Sequence, residues 1–124
     1  MKLNHINLCT SDVPALSSLL EKHFGFNLEE TRGQHAFAQL TGTGGMTLIL
    51  TGMGKTPQPY PRNFHIGFIL DNPQDVHTRH ESLCADGYQP GPVEVTTRGR
   101  ERWTLFYHPA GDNLLIEVSA PEPV

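Results

Sequence analysis

The 124-residue chain contains 9 basic and 13 acidic residues, which gives a formal net charge of -4, and it has no block of like charges. The sequence therefore lacks the cluster of basic residues expected of a protein that binds nucleic acid or an anionic membrane. With 37% hydrophobic and 18% charged residues, the composition is that of a globular protein, for which a small-molecule partner is the default expectation.

The sequence shows no sign of membrane insertion or of a disulfide framework. No apolar run approaches the length needed to span a bilayer, and Met1 leads into the first predicted strand without an apolar leader. Cys9 and Cys84 lack the close spacing of a zinc or redox motif, so reduced structural thiols are favoured. We therefore expect a cytoplasmic protein.

The first half of the chain predicts the element order β-α-β-β-β. Ser11 and Asp12 supply a helix N-cap, Pro14 stands in the first turn, and Gly25 ends the helix. The predicted strands of this half cover residues 3–10, 26–30, 35–40 and 46–51.

A proline-rich linker, residues 53–62, is followed by a second copy of the same order. Asn72 and Pro73 again provide a cap and a first-turn proline, and Gly87 closes the helix. The predicted strands cover residues 64–70, 92–98, 102–108 and 113–119. We therefore expect residues 1–124 to form a single domain of two modules, 3–52 and 63–119, because the chain is too short for two independent cores.

Three segments of the chain resemble the vicinal-oxygen-chelate superfamily. They are Asn4-His5-Ile6, Phe64-His65-Ile66-Gly67 and the segment 106–117, which runs from an aromatic pair through a proline turn to a glutamate. The superfamily includes glyoxalase I, fosfomycin and bleomycin resistance proteins, and type I extradiol dioxygenases. The resemblance implies an α+β fold in which two tandem βαβββ modules form a curved mixed sheet around a cleft, with helices on the outer face.

The resemblance also implies a divalent metal held by His5, His65 and Glu117. Two imidazoles and one carboxylate suit Zn, Ni, Mn, Fe(II) or Co. Glu117 interrupts an apolar strand, where an unpaired carboxylate is costly, so it requires a cation or a donor. The plainer interpretations are an ion pair between Glu117 and an arginine, and strand histidines that hydrogen-bond to neighbouring groups.

Two positions depart from the best-known members of the superfamily. Aligning residues 46–50 with residues 113–117 places Leu50 at the position equivalent to Glu117, so three protein ligands and open coordination positions are expected. Counting back from Pro109 places Leu105 where the resemblance implies a functional tyrosine, with Tyr107 two residues too late. No histidine occurs between Pro90 and Trp103, which makes a ring-cleaving dioxygenase less favoured.

Further residues are candidates for a substrate pocket. They are Asn7, Phe37, Leu50, Arg98, Arg102, Trp103 and Leu105. Arg98, Arg100 and Arg102 share one hairpin, which is either an anion-recognising loop or a solvated turn. The aromatic residues are either pocket or core.

The favoured function is a metal-dependent, glyoxalase-like enzyme that chelates a small oxygenated substrate through vicinal oxygens and uses Glu117 as its catalytic residue. The class is lyase, isomerase or transferase. A metal-free binding protein like the bleomycin resistance proteins is the alternative, and an accessory dimerisation domain is a third, weaker one. The resemblance further implies a homodimer.

Overall fold

The computed structural model describes residues 1–123, apart from the side chains of residues 34 and 35. The chain divides into two compact units, Met1–Pro59 and Tyr60–Val124. Each unit contains one βαβββ module with its own four-stranded mixed sheet. The expected α+β class and the two βαβββ modules are confirmed.

The sheet of the first unit has the strand order β1-β4-β3-β2, with β1 parallel to β4 and the other pairs antiparallel. Its elements are β1 (His5–Thr10), helix α1 (Val13–His23), β2 (Asn27–Arg32), the short helix α2 (Gly33–Ala36), β3 (Phe37–Thr41), a 3-10 turn (Thr43–Gly45) and β4 (Thr47–Gly52).

The sheet of the second unit repeats this order as β5-β8-β7-β6, with β5 parallel to β8. Its elements are β5 (His65–Ile69), helix α3 (Pro73–Ala85), β6 (Glu94–Arg98), β7 (Glu101–Pro109) and β8 (Leu115–Pro121).

Both long helices begin with the same chemistry. The Asp12 carboxylate accepts a hydrogen bond from the Ala15 amide at 3.0 Å, and the Asn72 side chain accepts one from the Asp75 amide at 2.9 Å. A proline lies in the first turn of each helix, where its missing N–H leaves no hydrogen bond unmade. These caps fix where each helix starts after its strand.

Each helix covers one face of its own sheet. Helix α1 contacts β3 and β4, and α3 contacts β7 and β8. In the second unit, Val76 and Leu83 of α3 are fully buried, as are Phe106 of β7 and Ile116 of β8. Because side chains alternate along a strand, the neighbours Tyr107 and Glu117 point to the opposite face of this sheet. That face carries the candidate residues of the second unit.

Several boundaries differ from the prediction. The strand expected at residues 35–40 begins two residues later, at Phe37, because residues 33–36 form α2, and β2 extends to Arg32, two residues beyond its predicted end. A four-residue helix has too few positions to show a helical hydrophobic period, which explains why the sequence did not reveal it. Among the described residues, no helix is both long and apolar enough to cross a membrane.

Candidate functional site

Strand register places Glu117 at the centre of the open face of the second sheet. It lies opposite Gly67 of β5 on one side and opposite Tyr107 of β7 on the other. His65 pairs with Leu115 two positions earlier, so His65 and Glu117 project from the same face of adjacent strands. The absence of a side chain at Gly67 leaves the carboxylate open toward β5, since a Cβ at that position would lie 3.4 Å from Glu117 Oε2.

The carboxylate of Glu117 is buried but has two partners. Its side chain is 8% exposed and forms an ion pair with Arg98, whose side chain is 42% exposed. Arg98 Nη2 donates to Oε1, and Nη1 reaches Oε2 at 3.4 Å. The Tyr107 hydroxyl also donates to Oε1, at 2.9 Å. Among the residues that the structure describes, two donors therefore converge on Oε1, whereas Oε2 has one long contact, with Arg98.

These contacts keep Glu117 ionised. Burial raises its pKa, but the hydrogen bonds from Arg98 and Tyr107 and the positive charge nearby together outweigh that effect and leave the pKa below its ordinary value of 4.5. The hydrogen bond to Glu117 raises the pKa of Arg98. Burial, followed by the hydrogen bond to Glu117, raises the pKa of Tyr107 above its ordinary value of 10.0. At neutral pH the cluster therefore consists of a carboxylate, a guanidinium and a neutral phenol.

His65 has the hydrogen-bonding pattern of a preorganised ligand. Its Nδ1 lies 2.9 Å from the Asn63 carbonyl oxygen. A carbonyl only accepts, so Nδ1 carries the proton and Nε2 of the neutral ring presents a lone pair. The ring meets Tyr107 edge-on at 5.6 Å, and both residues line a cavity of about 350 Å³ together with Asn63 and Leu115.

His5 in the first unit has the same pattern. Its Nδ1 lies 2.8 Å from Oδ1 of Asn4, an accepting oxygen, so its Nε2 also presents a lone pair. The side chain is exposed on β1. Two residues on, Asn7 accepts a hydrogen bond from the Thr51 hydroxyl at 3.0 Å.

The strand registers correct the position equivalent to Glu117 in the first unit. His5 pairs with Thr47 and His65 pairs with Leu115, so Thr47 corresponds to Leu115 and Ile49 corresponds to Glu117. The sequence alignment that chose Leu50 was wrong by one residue. A one-residue shift moves a strand side chain to the other face, and Leu50 is indeed fully buried in the core. Isoleucine cannot bind a metal either, so the first unit still lacks a fourth ligand.

The tyrosine beside the carboxylate is Tyr107, a residue that counting back from Pro109 had set aside in favour of Leu105. Leu105 lies opposite Ser119 and is 3% exposed, so it offers no polar group. Tyr107 lies directly opposite Glu117 in the register that pairs β7 with β8. Counting back from Glu117 through the turn to the residue that pairs with it on β7, instead of counting back from Pro109, could have identified Tyr107.

The other residues predicted to line a substrate pocket do not all lie near Glu117. Arg98 contacts Glu117 and lies over the Trp103 ring, 5.8 Å from guanidinium carbon to ring centroid. Arg102 pairs with Glu122 at 3.4 Å and lines, with Trp103, a larger cavity of about 600 Å³ at the far end of this sheet. Phe37 in the first unit lies under the Arg32 guanidinium at 4.9 Å.

The donor chemistry of the second unit fits a divalent cation. His65 Nε2 and Glu117 Oε2 are a neutral imidazole and a carboxylate oxygen, and the His65–Asn63 contact is the type of outer hydrogen bond that orients a metal-binding histidine. Among the side chains that the structure describes, which leave out residues 34, 35 and 124, no three of the metal-binding types are gathered closely enough to form a complete site. The second unit alone therefore supplies two of the three expected ligands.

Comparison with known proteins identifies the family. The family model for the Glyoxalase/Bleomycin resistance protein/Dioxygenase superfamily matches residues 2–118. The chain therefore belongs to this superfamily. The comparison with curated proteins finds no match.

Solved structures agree with this membership. A possible glyoxalase from Bacillus cereus is 33% identical, with a TM-score of 0.78, covering 95% of this chain and 97% of that one. A genomically encoded fosfomycin resistance protein, FosX, from Listeria monocytogenes is 25% identical, with a TM-score of 0.71 and coverage of 97% and 93%. A glyoxalase/bleomycin resistance protein/dioxygenase from Nocardioides, at 20% identity, has a TM-score of 0.75 with coverage of 98% and 84%, and shows the shared fold alone.

Proposed function

We propose that the protein is a divalent-metal-dependent enzyme of the glyoxalase type that acts on a small oxygenated organic substrate. The observation that carries the proposal is the placement of the His65 ring and the buried Glu117 carboxylate on one sheet face, each with a coordinating atom available. The similarity to a possible glyoxalase and to a fosfomycin resistance protein supports it. His5, from the same chain or from a second copy, is proposed as the third ligand.

The bound ion would supply Lewis acidity toward two vicinal oxygens of the substrate. The protein's own residues have distinct tasks. Tyr107 and Arg98 hold Oε1, which fixes the rotamer of Glu117 and keeps it ionised. The Asn63 carbonyl holds the His65 ring in one tautomer. Glu117 is also the proposed proton acceptor, and because its pKa is low it becomes a stronger base only when a donor withdraws.

A metal-free binding protein is the second candidate function. The specific observation in its favour is the ion pair between Arg98 and Glu117, which satisfies the buried carboxylate without a metal ion. In that case the face beside Tyr107 and His65 would bind a compound through contacts with protein groups only.

Metal analysis separates these two functions. Protein purified without added metal, then incubated with Zn²⁺, Ni²⁺, Co²⁺, Mn²⁺ or Fe²⁺ and desalted, is expected to retain about one equivalent per chain of at least one of them. The variants His65→Ala and Glu117→Ala should lose it. His77→Ala, which removes an exposed helix histidine outside the cluster, is the matched control and should retain it. A parent protein that retains none of the five ions would refute the enzyme proposal and favour the binding protein.

The assembly and location of the protein are further proposals. We propose a cytoplasmic homodimer, on the basis of the family resemblance and the absence of a spanning helix in the described residues. Light scattering coupled to size-exclusion chromatography would contradict the dimer if the mass stayed at 13.8 kDa across the accessible concentration range.

A further inference from the structure

Arg98 places a positive charge next to the carboxylate that is proposed to bind the metal. Its guanidinium makes the shortest contact of Glu117, through Oε1, and lies over the Trp103 ring. Arginine remains charged at any pH at which the protein is folded. A cation at this face would therefore bind in the presence of a second, permanent positive charge.

The two carboxylate oxygens allow both charges to be present together. Oε1 accepts from Arg98 and Tyr107, on the side of β6 and β7. Oε2 lies toward β5, the strand of His65, and its contact with Arg98 is a long 3.4 Å. A metal bound through Oε2 would displace only that long contact, and Arg98 can keep its hydrogen bond to Oε1.

The charges of such a site do not balance. A divalent ion, one carboxylate, one guanidinium and neutral imidazoles leave an excess of two positive charges. The other acidic side chains on β6 and β7 are Glu101, which pairs with Arg98 across the hairpin, and Glu94, at the other end of β6; both are exposed. Water screens exposed charges strongly, so these residues compensate the excess only weakly.

We infer that Arg98 is a specificity-determining residue that selects a substrate carrying an anionic oxygen group beside the oxygens that bind the metal. This inference rests on the proposed function and names its substrate class. The guanidinium has five N–H donors, of which two are directed at Glu117, and its side chain is 42% exposed. An oxyanion next to the metal would receive a charge-assisted hydrogen bond from Arg98.

The test uses probes that share the vicinal-oxygen geometry and differ in charge: oxalate, a dianion, and oxamide, its neutral diamide. Titration calorimetry on the Zn²⁺-loaded protein gives the affinity for each probe, and competition with a chelator gives the affinity for Zn²⁺. Arg98→Gln should bind oxalate at least about tenfold more weakly than the parent, because a hydrogen bond from a charged donor is lost. Its affinity for oxamide should be unchanged.

The affinity for Zn²⁺ should move in the opposite direction. Removing a positive charge beside the metal should tighten Zn²⁺ binding by about tenfold. A merely structural role of Arg98 would have the reverse sign, because a misplaced Glu117 would bind Zn²⁺ more weakly. Arg98→Lys, which keeps the charge, should recover most of the oxalate affinity, and Arg100→Gln in the exposed tip of the same hairpin should behave like the parent.

Two results would overturn the inference while leaving the proposed function intact. One is equal oxalate affinity in the parent and Arg98→Gln, and the other is a joint loss of Zn²⁺ and oxalate affinity in Arg98→Gln. Failure of the parent itself to bind Zn²⁺ or the other four ions would instead overturn the proposed function, and the inference with it. Circular dichroism of each variant verifies that it is folded.

Discussion

Tyr107→Phe tests whether the Tyr107 hydroxyl stabilises an ionised Glu117. The substitution removes one donor to Oε1 and keeps the ring that contacts His65. A hydrogen bond to an ionised acceptor contributes about 1.5–3 kcal/mol. Tyr107 is only partly buried, so we expect the lower end of that range, a loss of about 1.5 kcal/mol in the free energy of unfolding.

A double-mutant cycle with Glu117→Gln isolates this interaction. In the glutamine background the hydroxyl meets a neutral acceptor, and Tyr107→Phe should cost only about 0.5 kcal/mol. The coupling free energy between the two positions is therefore expected near 1 kcal/mol. Any cost of leaving Arg98 without its carboxylate occurs in both glutamine variants and cancels in the cycle.

Urea unfolding followed by tryptophan fluorescence is the appropriate assay. Trp103 is the single tryptophan of the chain and lies in β7, so its emission reports on the second unit. Measurements at neutral pH in EDTA keep any metal out of the comparison. A coupling below about 0.3 kcal/mol, the usual limit of additivity for independent sites, would refute the proposed charge-assisted contact.

The same coupling should depend on pH with a defined sign. The folded-state pKa of Glu117 lies below its ordinary value of 4.5, because the hydrogen bonds from Arg98 and Tyr107 and the positive charge nearby together outweigh the raising effect of burial. Its ionisation therefore stabilises the fold fully above the unfolded-state pKa. This contribution should be lost as pH falls below 4.5 and through the folded-state value, and the coupling should shrink with it.

Two further predictions concern the scaffold of the second unit, and both are measured by urea unfolding. Gly91→Ala should lower the free energy of unfolding by about 1–3 kcal/mol, because its Cβ would lie 2.9 Å from the Tyr107 carbonyl oxygen, a backbone atom that cannot move aside easily; unchanged stability would contradict this contact. Asn72→Ala should cost about 1 kcal/mol through the lost cap on the Asp75 amide, and Asn72→Asp, which keeps an accepting oxygen, should not.

The repeated fold was predictable because its signals are local. An N-cap followed by a proline, as at Asp12 and Asn72, marks each helix start, and alternation marks most strands. The exact ends of the strands were harder to predict from the sequence. Strand β8 begins at Leu115, two residues later than predicted, because Asp112 and Asn113 adopt left-handed backbone angles of +54° and +64° in φ. Such angles belong to turns and are not encoded by hydrophobic pattern.

Sequence alone identified a site residue only where burying that residue type without a partner would cost free energy. A carboxylate within an apolar strand requires a partner, which singled out Glu117, and an arginine partner was one of the two expectations. Tyr107 was missed because its position opposite Glu117 depends on the hairpin register. Leu50 was chosen in error because a one-residue slip in β4 exchanges the two faces, and both Ile49 and Leu50 are apolar.

Each unit has a histidine at the equivalent position of its first strand, but the two units differ at the positions around it. Opposite the strand that carries His5, the first unit has Ile49, whereas the second has Glu117 with Arg98 and Tyr107 beside it. At the position equivalent to Glu117, the first unit therefore has an apolar side chain and no charge. Within the second unit, the Glu117 carboxylate is paired with the Arg98 guanidinium. If the proposed function holds, substitutions at Arg98 and Tyr107 should therefore change which ligands are selected, whereas substitution of His5 should weaken metal binding.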